Sequence, residues 1–158
     1  MDESQGLLAA CILDGHGTGR EVQWREVRSW EPGQGTLWVH IDRANPASQQ
    51  WLRAESGIDP LACEALLAEE TRPRAASMNG GLLVILRGVN LHPGADPDDM
   101  VSIRMWLEGR RAITVRHQRL MAVQDVRESL DQGQGPHDSA DLLVQIGARL
   151  IDRIGPVV

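Results

Sequence analysis

The chain has 158 residues, an apolar fraction of 42% and a charged fraction of 24%, which suits one folded domain and excludes a disordered chain. A formal net charge of -6 disfavours nonspecific nucleic-acid binding, so no nucleic-acid partner is expected. The acidic start Met1-Asp2-Glu3 opens no secretory leader, and no run approaches the roughly 18 apolar residues of a membrane span, so the chain is expected to be soluble as it stands.

Gly6 to Asp14 is a short, apolar, turn-bounded run, which predicts a buried strand. Gly15-His16-Gly17-Thr18-Gly19 is a flexible turn. It lacks the spacing of either nucleotide-binding fingerprint and contains no Lys. A weak pattern over Glu21 to Trp24 predicts the next strand. After the turn Glu31-Pro32-Gly33-Gln34-Gly35, the stretch Thr36 to Asp42 alternates. Leu37, Val39 and Ile41 point one way; Trp38, His40 and Asp42 point the other. Asn45-Pro46 starts a helix, with Asn45 as cap and Pro46 at the first position, running to about Glu55. Asp59-Pro60 repeats the device, and its helix, Leu61 to about Glu69, is expected to carry Leu61, Ala65 and Ala68 along one face.

The period changes to two after Pro73. Gly81 to Val89 is an apolar strand. In the next one Val101, Ile103, Met105 and Leu107 alternate with Ser102, Arg104, Trp106 and Glu108. The turn Glu108-Gly109-Arg110-Arg111 joins it to Ala112 to His117 as a hairpin. Leu120, Val123, Val126 and Leu130 recur at helical spacing. Gly133-Gln134-Gly135-Pro136 breaks the chain, and Asp138 caps a helix carrying Leu143, Ile146, Leu150 and Ile154. This order predicts α/β or α+β architecture, with helices covering a mixed sheet. The last helix is still apolar at Val157 and Val158, and is expected either to dock on the domain or to run on into a longer architecture.

Several residue groups have a chemical and a plain structural reading. His40 and Asp42 share a strand face and are two metal-ligand types in need of a third, or two polar residues on a half-solvated strand. His92, Asp96, Asp98 and Asp99 share an acidic loop whose spacing does not match an EF-hand. It is a solvated hairpin loop or a weak divalent-cation site. Glu69, Glu70, Arg72 and Arg74, in the run Glu69 to Arg74, suit salt bridges or a subunit contact better than a catalytic pair. No Ser sits in a GxSxG elbow. Cys11 and Cys63 are distant, match no CxxC spacing, and lack a setting that would lower their pKa. A reducing compartment and a non-enzyme are the resulting expectations.

Several stretches together resemble the amino-terminal cytoplasmic domain of the CorA-like metal-ion transporters, in the ZntB zinc-transporter branch. They are WVHIDRANPASQQWL (Trp38 to Leu52), EETRPR (Glu69 to Arg74), LLVILRGVN (Leu82 to Asn90) and SIRMWLEGRRAITVRHQRL (Ser102 to Leu120). DVRESLDQGQGP (Asp125 to Pro136) and the helix Ser139 to Ile154 fit as well. The resemblance implies an α/β/α sandwich and a single cytoplasmic domain over residues 1–158. Its C-terminal helix, 139–158, would lead toward a stalk helix and two membrane helices absent from this chain. It further implies a homopentamer around one pore at the inner membrane, carrying zinc or magnesium. The domain itself would be regulatory and subunit-organising and would require no cofactor. The rival readings are a stand-alone soluble ligand-binding or scaffold domain, and a small enzyme.

Overall fold

The structure is a computed structural model that describes residues 6–69, 72–89 and 100–154. In chain order the elements are β1 (Leu7–Leu13), β2 (Gly19–Glu21), α1 (Trp24–Ser29), β3 (Thr36–Asp42), α2 (Pro46–Gln50), α3 (Pro60–Leu67), β4 (Arg74–Met78), β5 (Gly81–Val89), β6 (Met100–Leu107), β7 (Arg111–Arg116), α4 (Met121–Asp131) and α5 (Ser139–Ile154). The strands form one mixed sheet in the order β2-β1-β3-β7-β6-β5-β4. Every pairing is antiparallel except β3 with β7, which run parallel from Leu37 beside Arg111 to Asp42 beside Arg116. An antiparallel group with β1 at its centre, β2-β1-β3, and an antiparallel meander, β4 to β7, therefore meet at one parallel seam in mid-sheet.

Helices cover both faces. Leu37, Val39 and Ile41 of β3 join Ile113 and Val115 of β7 under the layer made by α1, α2 and α3. On the other face Trp38, Ile103, Met105 and Ala112 pack with Val123 and Val126 of α4 and with Leu142 and Ile146 of α5. This is an α/β/α sandwich. The alternation expected of β3 holds, but its second face is buried as well, because α4 and α5 lie over it. Two-sided burial is what a strand inside such a sandwich undergoes.

The helix entries follow from local chemistry. Asn45 Oδ1 accepts from the Ala47 amide at 2.8 Å, and Asp59 Oδ1 accepts from Leu61 at 2.7 Å, each ahead of a Pro at the first helical position. Beyond α2 the chain widens into a π-helical turn, Trp51–Glu55, where the Ser56 amide reaches back to the Trp51 carbonyl at 2.8 Å. The helix predicted to about Glu55 is therefore present in two forms.

Two expectations are corrected. The segment read as a strand from Glu21 to Trp24 is the short β2 followed by the helix α1. A reciprocal box starts that helix, with the Gln23 side chain on the third helical amide and Glu26 on the Gln23 amide. Tertiary contact completes it, since Trp24 lies 5.3 Å from Trp51 between ring centroids. In α3 the buried face is Ala62, Cys63, Leu66 and Leu67, while Leu61 is 72% exposed. Leu61, in the first turn of α3, lies off the face that Ala62, Cys63, Leu66 and Leu67 bury against the core.

One contact ties the two ends of the domain together. The Gly135 amide donates to the Gly17 carbonyl at 2.8 Å, so the β1–β2 turn sits on the α4–α5 turn. Both Gly17 (φ +102°) and Gly133 (φ +74°) are left-handed, and a methyl at Gly17 would be driven into the Gly133 carbonyl. Gly15 is also left-handed (φ +83°) but faces open space. Gly17→Ala should therefore cost about 3 kcal/mol, from backbone strain plus overpacking, and Gly15→Ala about 1 kcal/mol. Urea unfolding midpoints of the two variants measure the difference, and equal losses would show that the turn-to-turn contact is not made.

Candidate functional site

At the parallel seam the sheet buries polar groups that must satisfy one another. Thr114 of β7 is fully buried, and His40 and Trp38 of β3 are nearly so. The Trp38 indole N–H donates to Thr114 Oγ1 at 2.9 Å, and His40 Nδ1 lies 2.7 Å from the same oxygen. The same hydroxyl lies 3.5 Å from the Val39 carbonyl, so Oγ1 stands between an indole donor, an imidazole nitrogen and a backbone acceptor. Burial, reinforced by the Arg116 and Arg127 charges, pushes the His40 pKa down to about 3. Asp42, two residues on, spends one carboxylate oxygen on the Ala44 amide at 2.9 Å and shapes the turn into α2. His40 and Asp42 thus share the face expected of them. Among the described residues no group of three His, Cys, Asp or Glu side chains is placed to hold a metal ion.

A second polar cluster closes the C-terminal end of α3. Arg104 of β6 is 1% exposed and donates through Nη1 to the Leu66 carbonyl at 2.9 Å. Arg43 donates through Nε to the carbonyls of Leu67 at 2.9 Å and Ala68 at 3.0 Å. Guanidinium groups here satisfy the orphan carbonyls of a helix end and meet its partial negative charge. Burial, and next the Arg43 charge, lowers the Arg104 pKa to about 10, still cationic at neutral pH. Immediately beyond lies the Glu69 to Arg74 run. Glu69, Arg72 and Arg74 are exposed, and Arg74 opens β4, a strand on the edge of the sheet. Glu70 lies outside the described residues, as do His92, Asp96, Asp98 and Asp99. The Gly-rich turn is a turn: Asp14 accepts from the amides of His16 and Thr18 and from the Thr18 hydroxyl, which holds its pKa down at about 2.

A third feature was not anticipated from the sequence. A cleft of about 140 Å³ opens between the β1–β2 hairpin and α4. Ala9, Ala10, Trp38 and Leu130 line it together with Glu21, Gln124, Arg127 and Asp131. Cys11 borders it, and burial pushes its thiol up to about 12. Burial likewise raises the pKa of Cys63, so both cysteines stay protonated at neutral pH and neither is an activated nucleophile. Gln124, Arg127 and Asp131 follow helical spacing, which is a sequence signal. Their apposition to Glu21 spans some hundred residues of chain, and no local pattern carries it.

A family described as CorA-like Mg2+ transporter protein matches residues 33–158. The divalent cation transporter CmaX of Pseudomonas aeruginosa is 39% identical over 158 residues, covering 99% of this chain and 48% of that protein. A solved structure of full-length CmaX superposes with a TM-score of 0.88 at 40% identity, over 95% of this chain and 46% of that one. The zinc transport protein ZntB of Pectobacterium carotovorum is 31% identical over 150 residues, 95% of this chain and 45% of that protein. The ZntB cytoplasmic domain from Vibrio parahaemolyticus superposes with a TM-score of 0.79 at 26% identity, over 92% of this chain and 57% of that one. The chain thus spans about half the length of the curated relatives it matches. The resemblance drawn from the sequence and the sandwich it implied are both met.

The buried imidazole makes stability depend on pH. The folded pKa of His40 lies near 3, below its unfolded value of about 6.5. The unfolded chain therefore binds the extra proton between these values, and stability falls as pH drops through that window. From pH 7 to pH 5 the loss should be about 2 kcal/mol, and His40→Gln, which keeps an amide beside Thr114, should abolish most of that slope. Urea titrations of both proteins at pH 7, 6 and 5 measure it, and parallel slopes would refute the assignment.

Proposed function

The chain belongs to the CorA-like Mg2+ transporter family, and on that premise we propose that it is the regulatory, subunit-organising domain of a pentameric divalent metal-ion transporter whose cargo is zinc. The observation that carries this reading is the match of nearly the whole chain to a contiguous part of full-length CmaX. The name of CmaX supports a divalent cation, and that of ZntB supports zinc. Among the described residues no helix is long and apolar enough to cross a membrane. The proposal therefore assigns the pore to the half of the relatives' length that this chain does not span, and places the domain at the cytoplasmic face of the inner membrane.

In this role the domain performs no covalent chemistry, and it needs neither a cofactor nor nucleic acid. Assembly falls to the charged run at the step from α3 to β4, Glu69, Glu70, Arg72 and Arg74, of which Glu69, Arg72 and Arg74 are exposed. Their mixed signs suit contact with a second copy, where complementary charge fixes register more than it adds affinity. Attraction of zinc or magnesium falls to the acidic stretch with His92, Asp96, Asp98 and Asp99, aided by the net charge of -6. His40 and Asp42 keep the structural parts seen at the seam. Ions regulate such an assembly only by binding one arrangement of the subunits more tightly than another.

The test uses the full-length gene product. Reconstituted in vesicles it should take up zinc, and native mass measurement should give five copies. The double reversal Arg72→Glu with Arg74→Glu should lower the five-copy fraction several-fold, because two attractive rim contacts become repulsive. A single-copy protein would sink the assembly role, and an undisturbed assembly would sink these residues as its contacts. Calorimetry of the 158-residue chain with zinc and with magnesium tests direct sensing; absence of heat below about 1 mM, where binding free energy falls under about 4 kcal/mol, removes it.

A further inference from the structure

The cleft between the β1–β2 hairpin and α4 has a combination of features that packing alone does not require. Its four polar side chains, Glu21, Gln124, Arg127 and Asp131, make no side-chain hydrogen bond or ion pair among the described residues. The broad groove on the other side of the domain behaves differently. There Arg28 pairs with Glu55 at 3.0 Å and Arg111 pairs with Glu108 at 2.8 Å, so its charges are already spent. Unspent charge of both signs, gathered around a cavity, is what a ligand with both signs would use.

We propose that this cleft binds a small zwitterion of the α-amino-acid kind. The Arg127 guanidinium is planar and forked, and is suited to hold a carboxylate through two hydrogen bonds. Glu21 enters from the sheet side and Asp131 from the helix side, giving an ammonium group two acceptors of opposite charge. The Gln124 amide, at helical spacing from Arg127 and Asp131, offers a donor and an acceptor to either end. Trp38, Leu130 and Ala9, which also line the cleft, offer apolar surface to a short side chain. The volume, about 140 Å³, is close to that of cavities that accept a molecule the size of benzene, or roughly six to eight non-hydrogen atoms.

A metal ion fits this cleft less well. The Arg127 guanidinium lines the same cleft as the carboxylates, among the described residues no group of three His, Cys, Asp or Glu side chains is placed to hold a metal ion, and the neighbouring thiol holds its proton. The Gly135 to Gly17 hydrogen bond joins the hairpin turn to the turn after α4, so the two backbones that frame the cleft are held together, and binding would have to order the side chains alone.

The experiment is calorimetry and thermal shift on the 158-residue chain with four probes: L-alanine, propionate, ethylammonium and zinc chloride. L-alanine should bind and raise the melting temperature. Propionate and ethylammonium, each keeping one charge, should bind at least about tenfold more weakly, because one charge-assisted contact is lost. Arg127→Gln and Glu21→Gln should each weaken L-alanine about tenfold or more with an unchanged far-ultraviolet spectrum. Glu21 is exposed, so its variant remains informative should Arg127→Gln fail to fold. No L-alanine binding up to about 10 mM, equal binding of propionate, or retention of binding in both variants overturns the proposal. So does zinc binding that disappears in Glu21→Gln and Asp131→Asn while L-alanine is inert. Because no probe involves transport or assembly, failure here leaves the transporter reading standing, and failure of that reading leaves this site standing.

Discussion

The parallel seam between β3 and β7 is the constraint on which the rest of the domain depends. To its one side β2, β1 and β3 form an antiparallel group with β1 at its centre; to the other β7, β6, β5 and β4 form an antiparallel meander. Neither is covered on both faces without the other. The helix α1, between β2 and β3, and the helices α2 and α3, between β3 and β4, lie on one face, and α4 and α5, which follow β7, cover the other. Burying both sides of the seam leaves its polar side chains without water. A single hydroxyl, on Thr114, answers both Trp38 and His40 across the two strands. The cost of desolvating those groups is offset only if that geometry is kept.

The same logic recurs at the end of α3. A helix that ends beneath a sheet must give its last carbonyls partners, and here they come from Arg43 and Arg104. Two positive charges are thus held beside each other by backbone dipoles. The charged run that follows, Glu69 to Arg74, emerges from this fixed point onto the edge strand β4. An assembly surface placed there would begin from a rigid origin.

How much of this was visible in the sequence depended on how local the signal was. Asn45-Pro46 and Asp59-Pro60 identified two helix starts because a cap acts within three residues. The alternation of β3 marked that strand from Thr36 to Asp42, and the Glu108 to Arg111 turn marked the β6–β7 hairpin. The helix α1 was missed because six residues are too few to show a period, and much of its support comes from Trp51, far along the chain. Its Gln23 and Glu26 box was the signal available. Phase failed at Leu61, since apolar spacing does not say which turn of a helix overhangs the sheet. The cleft was invisible because Glu21 and Arg127 are brought together only by the completed sandwich. The burial of His40 was hidden for the same reason: nothing near β3 in sequence announces that α4 and α5 will cover it.

The seam also orders events during synthesis. When the first three strands have left the ribosome, β3 has its partner β1 on one side, and its other edge, Leu37 to Asp42, waits for residues Arg111 to Arg116. Until then an apolar strand with unpaired backbone groups is held open at what will become the middle of the sheet. Such an edge invites pairing with the wrong strand or a neighbouring chain. Closure must await a contact of long sequence separation, which slows folding. The nascent domain is thus most vulnerable over the interval in which β4, β5 and β6 are made, and the late arrival of β7 ends it by filling the gap from within.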